Sequence, residues 1–228
     1  MTTVANPSPP PVPECYQGQF GEFTITDRDR REVVIYRAGL AGAAVCLAIG
    51  VVLALTQPAH ELSLNAITLC YAGLWLSLGV SLWFIHIYMA VLHRALQAVW
   101  LIGGVASVAI AINATDPLPL VVYAQPLTIL GIGFTFAALT GIYFKEAFCF
   151  NRLETRLLTP LVPFLLLGHL SGLLPLLWAK ILLGVWAGLF LVFALRKLIQ
   201  AIPPDIGDKS VFAYLRGDIA VPATDVEV

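Results

Sequence analysis

Long uncharged apolar runs, separated by short polar or proline-bearing breaks, make up most of the chain between residues 38 and 195. Crossing a bilayer core of about 30 Å takes about 20 apolar residues in a helix. The pattern predicts six such helices, at about Ala38–Thr56, Leu64–His93, Ala95–Ile112, Val121–Phe144, Leu157–Leu174 and Pro175–Leu195. The second is longer than a crossing needs and must tilt or project. Asn113 to Pro117 is a cluster of helix breakers. Pro126 is expected to be tolerated near a helix start, where N–H groups lack partners anyway. Pro163 lies further into its helix and is expected to bend it.

The first helix is predicted to begin before its apolar part. Thr26 and Asp29 have capping-box spacing, with Asp in place of the usual Glu. A helix starting near Asp27 keeps its charged first turns, Arg28 to Arg37, outside the hydrocarbon. Ahead of it lies a polar arm, 1–26, whose first thirteen residues carry five prolines and read as disordered. It is not expected to be a cleavable signal peptide, which would need an early basic patch and then an apolar core. Behind the six-helix domain, 27–200, comes a polar tail, 201–228, in which Asp208–Leu215 has the pattern of one short interfacial helix.

Composition agrees with the pattern. The chain of 228 residues is 59% hydrophobic and 12% charged, against about 25% charged for a soluble domain. Its net charge of −1 gives no sign of nucleic-acid binding. The basic residues test the layout independently, because Lys and Arg gather in short cytoplasmic loops. With six crossings, one side receives Arg28, Arg30, Arg31, Arg37, Arg94, Lys145, Arg152, Arg156, Arg196, Lys197, Lys209 and Arg216. The other side keeps Lys180 alone, beside Trp178. The expected fold is therefore all-α, a polytopic membrane helix bundle with both termini cytoplasmic. Small residues four apart, as in Gly42-Cys46-Gly50, Gly103-Ser107-Ala111, Gly133-Ala137-Gly141 and Gly184-Gly188, read as bundle-packing stripes.

Chemistry is sparse. No Asp or Glu falls inside a predicted span, and no protease, P-loop, dinucleotide or haem-attachment motif is present. No catalytic residue is assigned, and the four cysteines, with no CxxC pair, suggest neither disulfide nor metal. His86 and His93, seven apart, are predicted to share a face of the second helix, about 10 Å apart along its axis. With His169 they could ligate haem or another pigment. The depths predicted for His86 and His169 do not match, which weakens a bis-histidine site, and the alternative is interhelical hydrogen bonding. The sequence itself requires no cofactor.

The second candidate is the expected 4–5 loop. Lys145, Glu146, Arg152, Glu154 and Arg156 stand there beside Phe144, Phe148 and Phe150. They could form a docking surface or lipid-headgroup site, or simply a basic loop with aromatic anchors.

Two stretches carry a resemblance: YQGQFGEFTITDRDRREVVIYRAGL, residues 16–40, and FKEAFCFNRLETRLLTPLVPFLLLGHL, residues 144–170. The chain from about 15 to about 200 resembles a family of uncharacterised integral membrane proteins common in cyanobacteria, a domain of unknown function with relatives in plastid-bearing organisms. The resemblance transfers no activity and no catalytic residue. It implies a plasma or thylakoid membrane. Three functions are compatible with the residues. One is a non-enzymatic accessory or assembly protein of a larger membrane complex. The second is a small-solute transporter or channel with His86 or Asn65 along its path. The third is a haem- or pigment-binding protein.

Overall fold

The computed structural model describes residues 14–58 and 60–217. The proline-rich start of the arm and the last eleven residues of the tail lie outside the described residues. Two strands come first, β1 (Cys15–Gly18) and β2 (Gly21–Thr24). Seven helices follow: α1 (Asp27–Thr56), α2 (Glu61–Phe84), α3 (Ala90–Asn113), α4 (Leu118–Ala124), α5 (Ile129–Phe150), α6 (Leu153–Leu170) and α7 (Leu176–Leu198). Two short ones, α8 (Pro203–Ile206) and α9 (Lys209–Arg216), complete the described chain. The described residues fall into two compact units, one from those up to 33 together with those from 201 onward, the other from those between 34 and 200.

The larger unit is a helix bundle. Its core holds Leu40, Leu78, Leu139, Ile142, Tyr143, Leu158, Phe190 and Phe193, all fully buried. Its outside is apolar as well: Leu69, Trp83 and Ile112 are 72%, 72% and 78% exposed. Apolar residues both inside and outside fit a solvent of lipid rather than water. Among the described residues five helices are long and apolar enough to cross a membrane: Asp27–Thr56, Glu61–Phe84, Ala90–Asn113, Pro126–Phe150 and Leu176–Leu198. The fold class read from the sequence, an all-α multi-pass bundle, is the fold found.

Small residues set the helix contacts. A Cβ on Gly39 or Gly42 of α1 would press on Ser77 of α2. One on Gly103 of α3 would overlap Thr135 of α5, and one on Gly141 of α5 would overlap Leu96 of α3. Trp75 of α2 and Trp100 of α3 stack at 4.4 Å between ring centres. Each indole N–H donates to the other's backbone carbonyl, at 3.1 Å from Trp75 and 2.8 Å from Trp100. Gly79 and Gly104 leave the space that these rings fill.

Two helix boundaries differ from the sequence reading. The break expected at Arg94 falls instead at 85–89, so α3 takes in His93 and Arg94. His86 lies in the connection, and the two histidines do not share a helix face. The second change is at Pro126. A residue before proline is pushed out of the helical region, and Gln125 sits at φ −123°, ψ 81°. One helix over 121–144 is replaced by the short α4 and the longer α5, which continues to Phe150.

The smaller unit joins the two ends of the chain. β1 and β2 form an antiparallel hairpin in which Tyr16 faces Phe23, their rings stacked at 5.7 Å. Ile25, Val33 and Ile206 form its apolar centre. The Gln19 N–H donates to Asp208 Oδ2 at 2.6 Å, and the Phe20 N–H donates to Ser210 Oγ at 3.0 Å. Lys209 reaches Asp29 at 2.8 Å, and Phe20 stacks on Tyr214 at 4.1 Å. The Thr26–Asp29 capping box is present: the Thr26 N–H donates to Asp29 Oδ2 and the Asp29 N–H to Thr26 Oγ1. Residues 15–24, read as part of a polar arm, thus form strands, and the short helix expected in the tail is α9.

Candidate functional site: a buried charge cluster at the α5–α6 junction

The segment read as a long charged loop is almost entirely helical. α5 runs to Phe150, α6 starts at Leu153, and the link is Asn151–Arg152. Asn151 adopts the left-handed conformation, φ 52°, and its N–H bonds to the Ala147 carbonyl. Asn is one of the few residues that takes this geometry readily, which makes it a helix terminator.

Helical geometry turns Glu146 inward. It is fully buried in the last turns of α5, just past the Phe144 at which the predicted span ends. A buried carboxylate needs partners, and it has three. Lys145 Nζ and the Tyr36 hydroxyl donate to Oε1 at 2.8 and 3.0 Å. Lys197 Nζ, also fully buried, pairs with Oε2. The cluster therefore ties α1, α5 and α7 together. The Phe150 ring lies 4.0 Å from Lys197 Nζ and 5.6 Å from Lys145 Nζ, so its π face shares in holding both cations.

A second group adjoins it in sequence. Glu154 is buried and pairs with Arg196 at 3.0 Å. Arg152 Nη2 donates to the Gln200 side chain at 2.7 Å, and Arg37 Nη1 donates to the Gln200 carbonyl at 2.6 Å. Arg152 Nη1 and Glu154 Oε1 face each other at 3.9 Å, and neither has a hydrogen-bond partner among the described residues.

Of the five residues read as a docking surface, Lys145, Glu146, Arg152 and Glu154 enter this network, while Arg156 stays exposed. Glu146 and Glu154 are both buried. Sequence reading missed Tyr36, Lys197 and Gln200. The signal for Lys197 was its position in the last turn of an otherwise apolar helix, beside Arg196.

His93 and His169 each meet a backbone carbonyl of another helix. His93 Nε2 lies 2.6 Å from the Leu82 carbonyl, and Gln97 Nε2 donates to the same oxygen at 3.2 Å. That carbonyl belongs to the final turn of α2, where helical donors run out. His169 Nε2 lies 3.1 Å from the Val122 carbonyl in α4. Both are interhelical hydrogen bonds. His86 stands half-buried in the 85–89 connection.

The apolar crossings and inward-facing charges define a multi-pass integral membrane protein. The chain belongs to the family described as uncharacterized integral membrane protein (DUF2301), whose model matches residues 80–214. That range holds the 144–170 stretch of the resemblance and leaves the 16–40 stretch outside. No curated protein and no solved structure matches the chain.

Proposed function

We propose that this protein is a non-enzymatic accessory of a larger membrane complex. It crosses the membrane six times and presents, on one side, a module made from both of its ends. The observation that carries this reading is the direct hydrogen bond from the Gln19 N–H to Asp208 across 189 positions of sequence. Segments that touch outside a bilayer lie on one side of it, so the chain between them crosses an even number of times. Five helices qualify by length and apolarity. The sixth crossing is α6, whose 18 residues span about 27 Å. Its link to α5 is two residues and its link to α7 is five, so it must run antiparallel to both. Its first-turn Glu154 is paired, which lowers the cost of that charge at the membrane edge.

The accessory role draws on the same features. In the core Tyr143 packs edge to face on both Phe190 and Phe193, which suits a rigid scaffold better than a solute path. The ion pairs of Glu146 and Glu154 are internal braces. This leaves the terminal module as the part able to recognise a partner.

The test is gentle solubilisation of native membranes with a tag on the protein, comparing wild type with Asp208→Ala. One stoichiometric membrane partner, lost in the variant while the bundle stays folded, is the expected result. A wild-type protein that elutes alone or with itself contradicts the reading.

A further inference from the structure

A second feature of the bundle is unrelated to its charge cluster. The ends of α1, α2, α4, α6 and α7 surround an open apolar bowl of about 540 Å³. That volume is ordinary for a small-molecule site, for which 300–1,000 Å³ is typical. Leu55, Ile67, Leu166, Leu183 and Trp186 supply much of the wall.

Its polar groups are few. Lys180 lines it, exposed, with no hydrogen-bond or ion-pair partner among the described residues. No carboxylate lines the bowl. His169 also lines it, but its Nε2 is engaged with the Val122 carbonyl, and its ring stacks on Tyr123 at 6.0 Å. The histidine is thus a positioning residue that holds α4 as part of the wall. One cation is left beside a greasy concavity. Ligand sites in proteins combine mostly apolar walls with a few polar groups that set orientation.

We infer that this bowl binds an anionic phospholipid of the surrounding membrane, an acyl chain filling the apolar part and the headgroup phosphate meeting Lys180. The charge selects the headgroup and the wall selects the tail. From Leu176 to Trp186, α7 rises about 15 Å, room for much of one acyl chain.

The experiment uses the full chain reconstituted in vesicles of equal phosphatidylglycerol and phosphatidylcholine. It is then released in mild detergent, and the retained lipid is counted by native mass spectrometry. Wild type is expected to retain phosphatidylglycerol in preference to phosphatidylcholine. Lys180→Gln should weaken that retention about fivefold, the effect of about one cation–headgroup contact. Ala179→Phe, which fills the bowl from half-buried Ala179 on α7, should abolish it. Circular dichroism and the melting temperature of both variants establish that the bundle persists. Equal retention of the two lipids overturns the proposal. So does phosphatidylglycerol held undiminished in both variants, which would assign it to the cations around Glu146.

Discussion

His169 Nε2 lies 3.1 Å from the carbonyl oxygen of Val122, whose helical donor four residues on would be Pro126. Proline has no N–H, so the break between α4 and α5 orphans this carbonyl, and a histidine from α6 meets it. His169→Ala should cost about 1 kcal/mol, the penalty for leaving a part-buried acceptor unpaired. Pro126→Ala restores a backbone donor at that position. The loss from His169→Ala should therefore shrink in a Pro126→Ala background. A double-mutant cycle on thermal unfolding in detergent measures this coupling.

The Glu146–Lys197 pair carries a second prediction. Both side chains are fully buried. Removing one partner leaves the other as an uncompensated charge, at about 3–5 kcal/mol. Glu146→Gln should lower the melting temperature strongly. Glu146→Gln with Lys197→Met should lower it less than Glu146→Gln alone, because the stranded ammonium is gone. Calorimetry of the purified protein distinguishes the two.

Glycines separate packing from lipid exposure. A Cβ at Gly79 would overlap the Trp100 ring, and one at Gly104 would overlap Trp75. Each ring is fixed by stacking and a hydrogen bond, so neither can move cheaply. Gly79→Ala or Gly104→Ala should destabilise the bundle by about 1–3 kcal/mol. Nothing lies within 4 Å of a Cβ at Gly188. Gly188→Ala should therefore be neutral or stabilising, by up to about 1 kcal/mol from helix propensity. Melting temperatures of the three variants check the contrast.

The long apolar helices were legible in the sequence because lipid demands long uncharged runs, and the Thr26–Asp29 cap because its chemistry is local. The charge cluster was not. Lys145 to Arg156 has the composition of a loop, and burial of Glu146 depends on Lys197 and Tyr36, which lie 51 and 110 positions away. A linear reading sees charges but not their distant partners. The small-residue stripes were half legible: Gly103 and Gly141 do meet neighbouring helices, whereas Gly188 meets none. The joining of arm and tail was hidden for the same reason, since no local pattern links Gln19 to Asp208.

That joining should respond to pH. Burial pushes the Asp208 carboxyl up, but hydrogen bonds from Ser210 and from the Gln19 and Val211 N–H groups outweigh it and hold the carboxyl below its ordinary value. A depressed carboxyl stabilises the fold above the unfolded value of about 3.9 and loses that contribution as pH falls toward its folded value. Protection of the Gln19 and Phe20 amides from hydrogen exchange should therefore hold at neutral pH and decline below about pH 4. Asp208→Asn should weaken the protection at neutral pH and flatten the decline.

The sidedness of the two ends tests the account most directly. Cys15 is exposed beside β2, and Leu215 is 60% exposed on α9. With Cys46, Cys70 and Cys149 replaced, Cys15 alone is compared with a second protein, in which Cys15 is also replaced and Leu215→Cys introduced. Each is treated with a membrane-impermeant maleimide in right-side-out and in inverted vesicles. Six crossings predict that both positions label from the same face and are protected from the other. Labelling from opposite faces would mean an odd number of crossings and would contradict the joined-ends architecture.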